Sequence, residues 1–125
     1  MGTNKRPVFL DLTKMRFPVT AIVSIMHRIS GVLLFLLLPF ALYLLHHSLS
    51  SEDNFEALQS ILSQPVVALS VWVLVCALAF HVFAGIRHIV MDCGFGEHLS
   101  AARFSAYLIF CAEVVTMIMV GVWLW

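Results

Sequence analysis

Leu78-Ala-Phe-His-Val-Phe-Ala-Gly-Ile-Arg-His-Ile-Val-Met-Asp92 sets two histidines, an arginine and an aspartate in, or at the end of, an otherwise apolar run. At about 100° per residue, His81, Gly85, His88 and Asp92 fall on one helix face. The apolar run reaches back to Pro65 or Val66 and ends near Val90. That is long enough to cross the hydrocarbon of a bilayer, which takes roughly 20 residues. Polar groups at that depth are costly and face a bundle interior, a partner or a bound group rather than lipid.

Working outward, two more runs have the same character. The first extends from about Val19 to Leu49 and the third from about Phe104 to Trp125. We therefore expect an all-α integral membrane bundle of three transmembrane helices, spans 19–49, 66–90 and 104–125, in a single membrane-anchor domain over residues 1–125. Composition agrees. The chain has 125 residues, 62% of them hydrophobic, and a mean hydropathy of +1.00. A soluble domain of this size has no interior large enough for so much apolar surface. The formal net charge is zero, so no basic surface argues for nucleic acid. Cys76, Cys93 and Cys111 share no C-x-x-C spacing, which argues against a disulfide framework or a zinc site. They read as small hydrophobes. No short apolar run with a cleavage site follows the polar start, so no signal peptide is expected.

Between the spans the chain is polar. Residues 1–18 carry Lys5, Arg6, Lys14 and Arg16, and Pro18 fits the first turn of a helix. Pro39 should kink the first span. Ser50-x-x-Asp53 has the form of a capping box. Phe55, Leu58, Ile61 and Leu62 then follow helical spacing, as in a short amphipathic helix lying on the membrane surface. Gly94-x-Gly96 reads as a turn. Lys and Arg concentrate before the first span, while the 50–65 connection holds only acids, Glu52, Asp53 and Glu56. The positive-inside rule places the N-terminus and the 91–103 connection in the cytoplasm and the amphipathic helix outside. Trp72, Trp123 and Trp125 then lie towards the outer interface, as an aromatic belt does.

On this topology Ser24, His27, Arg28, His81, Arg87, His88 and Asp92 gather in the cytoplasmic half of the bundle. Gly85 leaves a notch one turn from His81, and a histidine beside a notch suits a flat, bulky ligand such as haem. A histidine that hydrogen-bonds a neighbouring helix explains the same residues. His81 and His88 are about 10.5 Å apart along one helix, so they cannot grip opposite faces of one iron. His27 could oppose His81, but a second ligand from another subunit gives better enclosure. Ser24, Arg28 and Gly31 form a stripe on the first helix, with His27 beside it. A hydroxyl one turn from a guanidinium suits a carbonyl that gains negative charge, as in a quinone being reduced. Arg28 equally suits a haem propionate, or snorkels to the interface, and Ser24 could bond back to its own helix.

Three elements resemble a known family: Arg6-Pro-Val-Phe-Leu-Asp-Leu12, Ser24-Ile-Met-His-Arg-Ile-Ser-Gly31, and His81-Val-Phe-Ala-Gly-Ile-Arg-His88 with Asp92. They look like the cytochrome b membrane-anchor subunits of succinate dehydrogenase, the larger of the two small anchors of respiratory complex II. The resemblance spans nearly the whole chain. It implies an anchor that binds no succinate itself. It implies partners: a flavoprotein subunit with FAD, an iron–sulfur subunit with its clusters, and a second small membrane anchor. Electrons would pass from succinate to ubiquinone at the cytoplasmic face of the bacterial inner membrane, in which this multi-pass chain would sit. It further implies His81 as an axial ligand of haem b, with the other ligand from the second anchor. Ser24 and Arg28 match the quinone-site serine and arginine, and Asp92 an acid near that pocket. His27, Arg28 and His88 match the surroundings of the haem and its propionates.

The residues alone also admit a small transporter or channel subunit that uses the inner-half polar cluster as a proton or ion relay, and a scaffold without cofactor. Asp92 could as well cap a helix end or pair with Arg87. Glu113 is absent from the family pattern. It falls near the bilayer midplane, where an ionised carboxylate facing lipid is expensive. We expect it to turn inward, uncharged at pH 7, and to donate one hydrogen bond to a helix of this chain or of a partner.

Overall fold

The computed structural model describes residues 16–125. Lys5, Arg6, Lys14 and the Arg6–Leu12 element lie outside the described residues. Four helices follow one another: α1 Val19–Ser50, α2 Glu52–Leu62, α3 Pro65–Asp92 and α4 Leu99–Leu124. No strand occurs among the described residues. The fold is all-α, and α1, α3 and α4 are each long and apolar enough to cross a membrane.

Helix ends follow local chemistry. Pro18 sits just before α1 as its N-cap, and its carbonyl accepts from Ala21 and Ile22. Pro39 lies inside α1, and the helix continues through it to Ser50. The cap of α2 falls one residue later than the expected Ser50–Asp53 box. Ser51 accepts from the Asn54 backbone N–H at 3.1 Å, while Ser50 donates back to the His47 carbonyl. Asn54 prevails because its amide also reaches the Ser50 hydroxyl, at 2.9 Å. Pro65 opens α3 at a position whose N–H has no helical acceptor. Between α3 and α4, Gly94 and Gly96 both have positive φ, +84° and +74°, a turn that L side chains rarely adopt. That turn sets the start of α4 at Leu99, about one and a half helical turns before the apolar run at Phe104.

α3 is the central helix, and both α1 and α4 run antiparallel to it. The core is a short seam of Val23 from α1, Phe80 and Ala84 from α3, and Ala106 and Ile109 from α4. Ala77, Ala84, Ala102 and Ala106 are buried, as small residues are where membrane helices approach closely. Two polar ties join α3 to α4. Arg87 donates through Nε to Ser105 Oγ at 3.0 Å and through Nη2 to the Ala102 carbonyl at 3.3 Å. Towards the other end, Trp72 Nε1 donates to the Met117 carbonyl at 3.0 Å. Trp72 thus serves as a tie between helices, whereas Trp123 and Trp125 are exposed. Most large apolar side chains face outward, Phe35 at 75% and Val122 at 78% exposure among them. Only lipid or other membrane helices solvate such a perimeter. The chain is a multi-pass membrane protein. α2 is amphipathic, has no buried residue, and packs against the adjoining ends of α1 and α3.

Candidate functional site

The antiparallel register of α1 and α3 brings three imidazoles together. His27 stacks on His81 with ring centres 4.2 Å apart and planes 24° from parallel. His88, two turns along α3, lies 5.2 Å from His27 at a tilt of 45°. The notch left by Gly85 is filled from within the chain: a Cβ built there would lie 3.6 Å from His27 Nε2. His27 cannot oppose His81 across one metal, because stacked rings do not aim their nitrogens at each other. His27 Nε2 is buried and has no hydrogen-bond partner.

Around His81 the hydrogen bonds fix a direction. Ser30 Oγ donates to the His27 carbonyl at 2.7 Å, the backward bond that serines in helices make. Its hydrogen is therefore engaged, and its lone pairs remain. Ser30 Oγ lies 3.0 Å from His81 Nδ1, and the His27 carbonyl lies 3.2 Å from the same nitrogen. Both neighbours can only accept, so Nδ1 carries the proton and donates. The lone pair is then on Nε2. Gly31 completes the arrangement: a Cβ there would come within 3.2 Å of His81 Cε1. A side chain at that position would push the imidazole aside. Ser30 is 5% exposed and is the site residue that sequence reasoning missed. The one available signal was its place in the Ser24–Gly31 element.

The remaining expected residues divide. Ser24 is half-buried and Arg28 exposed on the flank of α1. Asp92 is the last residue of α3 and exposed. Arg87 does not join the cluster and does not pair with Asp92. It is buried against α4, bonded to Ser105 and Ala102. Among the described residues no group of three or more His, Cys, Asp or Glu side chains forms a cage for a bare metal ion. The arrangement instead offers one oriented imidazole nitrogen, flanked by a second imidazole with an unsatisfied nitrogen.

Residues 2–120 match the family described as succinate dehydrogenase/fumarate reductase transmembrane subunit. The chain is 48% identical over 122 residues to the succinate dehydrogenase cytochrome b556 subunit of Coxiella burnetii, an alignment covering 97% of this chain and 98% of that protein. Identity to the cytochrome b556 subunit of Paracoccus denitrificans is 30% over 123 residues, covering 95% and 92% of the two chains. Identity to the cytochrome b560 subunit of Reclinomonas americana is 33% over 110 residues, covering 82% and 75%.

Proposed function

The chain belongs to the succinate dehydrogenase/fumarate reductase transmembrane subunit family, and we propose that it anchors a succinate:ubiquinone oxidoreductase, binds haem b jointly with a second anchor subunit, and forms part of the ubiquinone-reduction site. The observation that carries this reading is the held imidazole of His81. Ser30 and the His27 carbonyl engage Nδ1, which leaves the Nε2 lone pair free and would let it hold a haem iron. Metal-ligating histidines are held this way by a hydrogen bond from the other nitrogen. Gly31 supplies the clearance the ring needs. The residues present fit a haem that His81 would hold from this chain, with a partner anchor supplying the other ligand. The relatives are named cytochrome b subunits, in keeping with this. When bound, haem b supplies a one-electron redox centre within the membrane.

The chain's other residues take supporting roles. His27 and His88 would border the haem and its propionates. Arg28, at the flank of α1, balances propionate charge or the charge that grows on a quinone carbonyl. Ser24, one turn before it, donates a hydrogen bond to that carbonyl. Asp92 stands at the cytoplasmic end of α3 and passes protons towards the quinone. The flavoprotein and iron–sulfur subunits, carrying FAD and the clusters, dock on the cytoplasmic face of a bacterial inner membrane, where the N-terminus also lies. Residues 1–125 act as one anchor domain.

The test is a reduced-minus-oxidised spectrum of membranes holding the assembled complex. The wild type should show a low-spin haem b band, and His81→Leu or His81→Tyr should lose or alter it. Succinate oxidation with a soluble dye should persist, because the flavin site is elsewhere. An unchanged bis-histidine spectrum in His81→Leu would remove His81 from the iron.

A further inference from the structure

Towards the outer side of Ser30 the bundle keeps a slot of about 290 Å³, partly open to its surroundings. α3 forms its floor with Trp72 and Cys76. Leu33 and Ser30 of α1 form one wall, Glu113 and Met117 of α4 the other. α1 and α4 touch each other less than either touches α3, which is why the slot lies between them. Its lining is almost wholly apolar apart from Glu113, whose side chain is 4% exposed. Glu113 has turned inward, as expected, and of the two expected partners, a helix of this chain or of a partner, the first is not engaged: Oε2 has no hydrogen-bond partner among the described residues.

No other group on the slot's walls bonds that carboxyl. The Trp72 N–H is bonded to the Met117 carbonyl. The Ser30 hydroxyl donates to His27 and accepts from His81. The Cys76 thiol is buried but makes no hydrogen bond to Glu113. An unsatisfied polar group in hydrocarbon costs on the order of several kcal/mol, so a partner from outside the chain is called for. Depth narrows its chemistry. Glu113 is eleven residues from the end of α4 at Leu124, roughly 16 Å along the helix. That is about half of a hydrocarbon core roughly 30 Å thick. Phospholipid head groups lie at the faces, and acyl chains carry no hydrogen-bonding group to that depth. A side chain on a membrane-spanning helix does. The slot is too small for a helix and suits a knob from one lying across it.

We propose that the slot receives a polar side chain, of the Ser, Thr, Asn, Gln or Tyr kind, from a transmembrane helix of a partner subunit, with the Glu113 carboxyl as its hydrogen-bond partner. The proposal rests on the reading of this chain as an anchor working beside other membrane subunits. Glu113 then fixes the seating of that helix and takes no part in proton transfer to quinone.

Photo-crosslinking in native membranes tests it on the whole complex. A photoreactive amino acid is placed at Leu33 or Met117, on opposite walls and each partly exposed, with Phe35 as a background position. Both slot positions should cross-link to the same membrane-embedded partner, well above background. Cross-links to lipid alone, to a lipid-soluble small molecule, or at background level would overturn the proposal. If the substituted chains do not assemble, infrared spectroscopy of the unsubstituted complex decides. The Glu113 carboxyl band, identified by its loss in Glu113→Gln, should shift to higher frequency when the membrane partner is stripped away. An unshifted band counts against the proposal. A complex that keeps its haem while failing either test defeats this proposal alone; absence of haem from the assembled complex defeats the functional reading instead.

Discussion

At Ser30 one hydroxyl serves two helices, donating to the His27 carbonyl and accepting from His81. Ser30→Ala should leave Nδ1 with the longer bond to the His27 carbonyl alone. Loss of such a supporting partner typically weakens metal binding about 10- to 100-fold. We expect Ser30→Ala complexes to retain less haem through detergent purification, and Ser30→Thr to recover most of it. Gly31→Ala should lower haem retention too, since its Cβ meets the ring at 3.2 Å. Wild-type retention and spectrum in Ser30→Ala would show that its hydroxyl does not hold the ligand. Ser24 and Arg28 call for a different assay. Ser24→Ala and Arg28→Leu should lower succinate-driven ubiquinone reduction by about 10²-fold or more, the usual loss for one oriented group at a centre of developing charge. Dye reduction should be unaffected in the same preparations, and a quinone rate within about twofold of wild type would be too small for this role.

Among the elements, the ties between α3 and α4 are the features most open to measurement. Ser105→Ala removes the acceptor of Arg87 Nε and leaves that buried guanidinium bonded to one carbonyl. Hydrogen bonds between membrane helices average about 0.6 kcal/mol and reach about 1.7, and a charged donor belongs near the upper figure. Thermal unfolding of the Ser105→Ala complex should reveal a loss in that range, without change in the haem spectrum. The three long helices and the surface helix were legible because unbroken apolar runs and a short amphipathic pattern each have one reading. Helix ends were less so. The α2 cap slipped from Ser50 to Ser51 because adjacent serines offer equal chemistry, and Asn54 decided between them. Arg87 was legible in principle. Six residues past His81, it lies about 120° off that helix face, towards α4. Ser30 was not, because a serine in an apolar helix usually bonds only to its own backbone. Its second bond, to a residue 51 positions away, depends on which helices pack together. Glu113 was legible as inward-facing but not as unsatisfied, since that depends on every neighbour's bonds at once.

For the whole molecule, the proposed orientation in the membrane is open to measurement, and the cysteines provide a way to read it. Cys93, at the end of α3, is exposed, and Cys76 is buried within the bundle. If the 91–103 connection lies in the cytoplasm, as proposed, a membrane-impermeant thiol reagent should label Cys93 in inverted vesicles and not in intact spheroplasts. A cysteine introduced at Glu56 on α2 should show the opposite pattern. Labelling of Cys93 from the outside would reverse the orientation and put the histidine cluster near the wrong face for a cytoplasmic electron donor. The antiparallel register also governs how the chain can change in length. Ser30 and Gly31 stand opposite His81, and Arg87 opposite Ala102 and Ser105. One residue inserted between these positions and a helix's fixed end turns everything beyond it by about 100° and moves it about 1.5 Å. Insertions and deletions are therefore tolerable at the α1–α2 junction, at Ser63–Gln64 and in the Cys93–His98 turn, where lengthening a loop costs little. Descendants of this sequence can drift in residue type along their helices far more freely than they can drift in spacing.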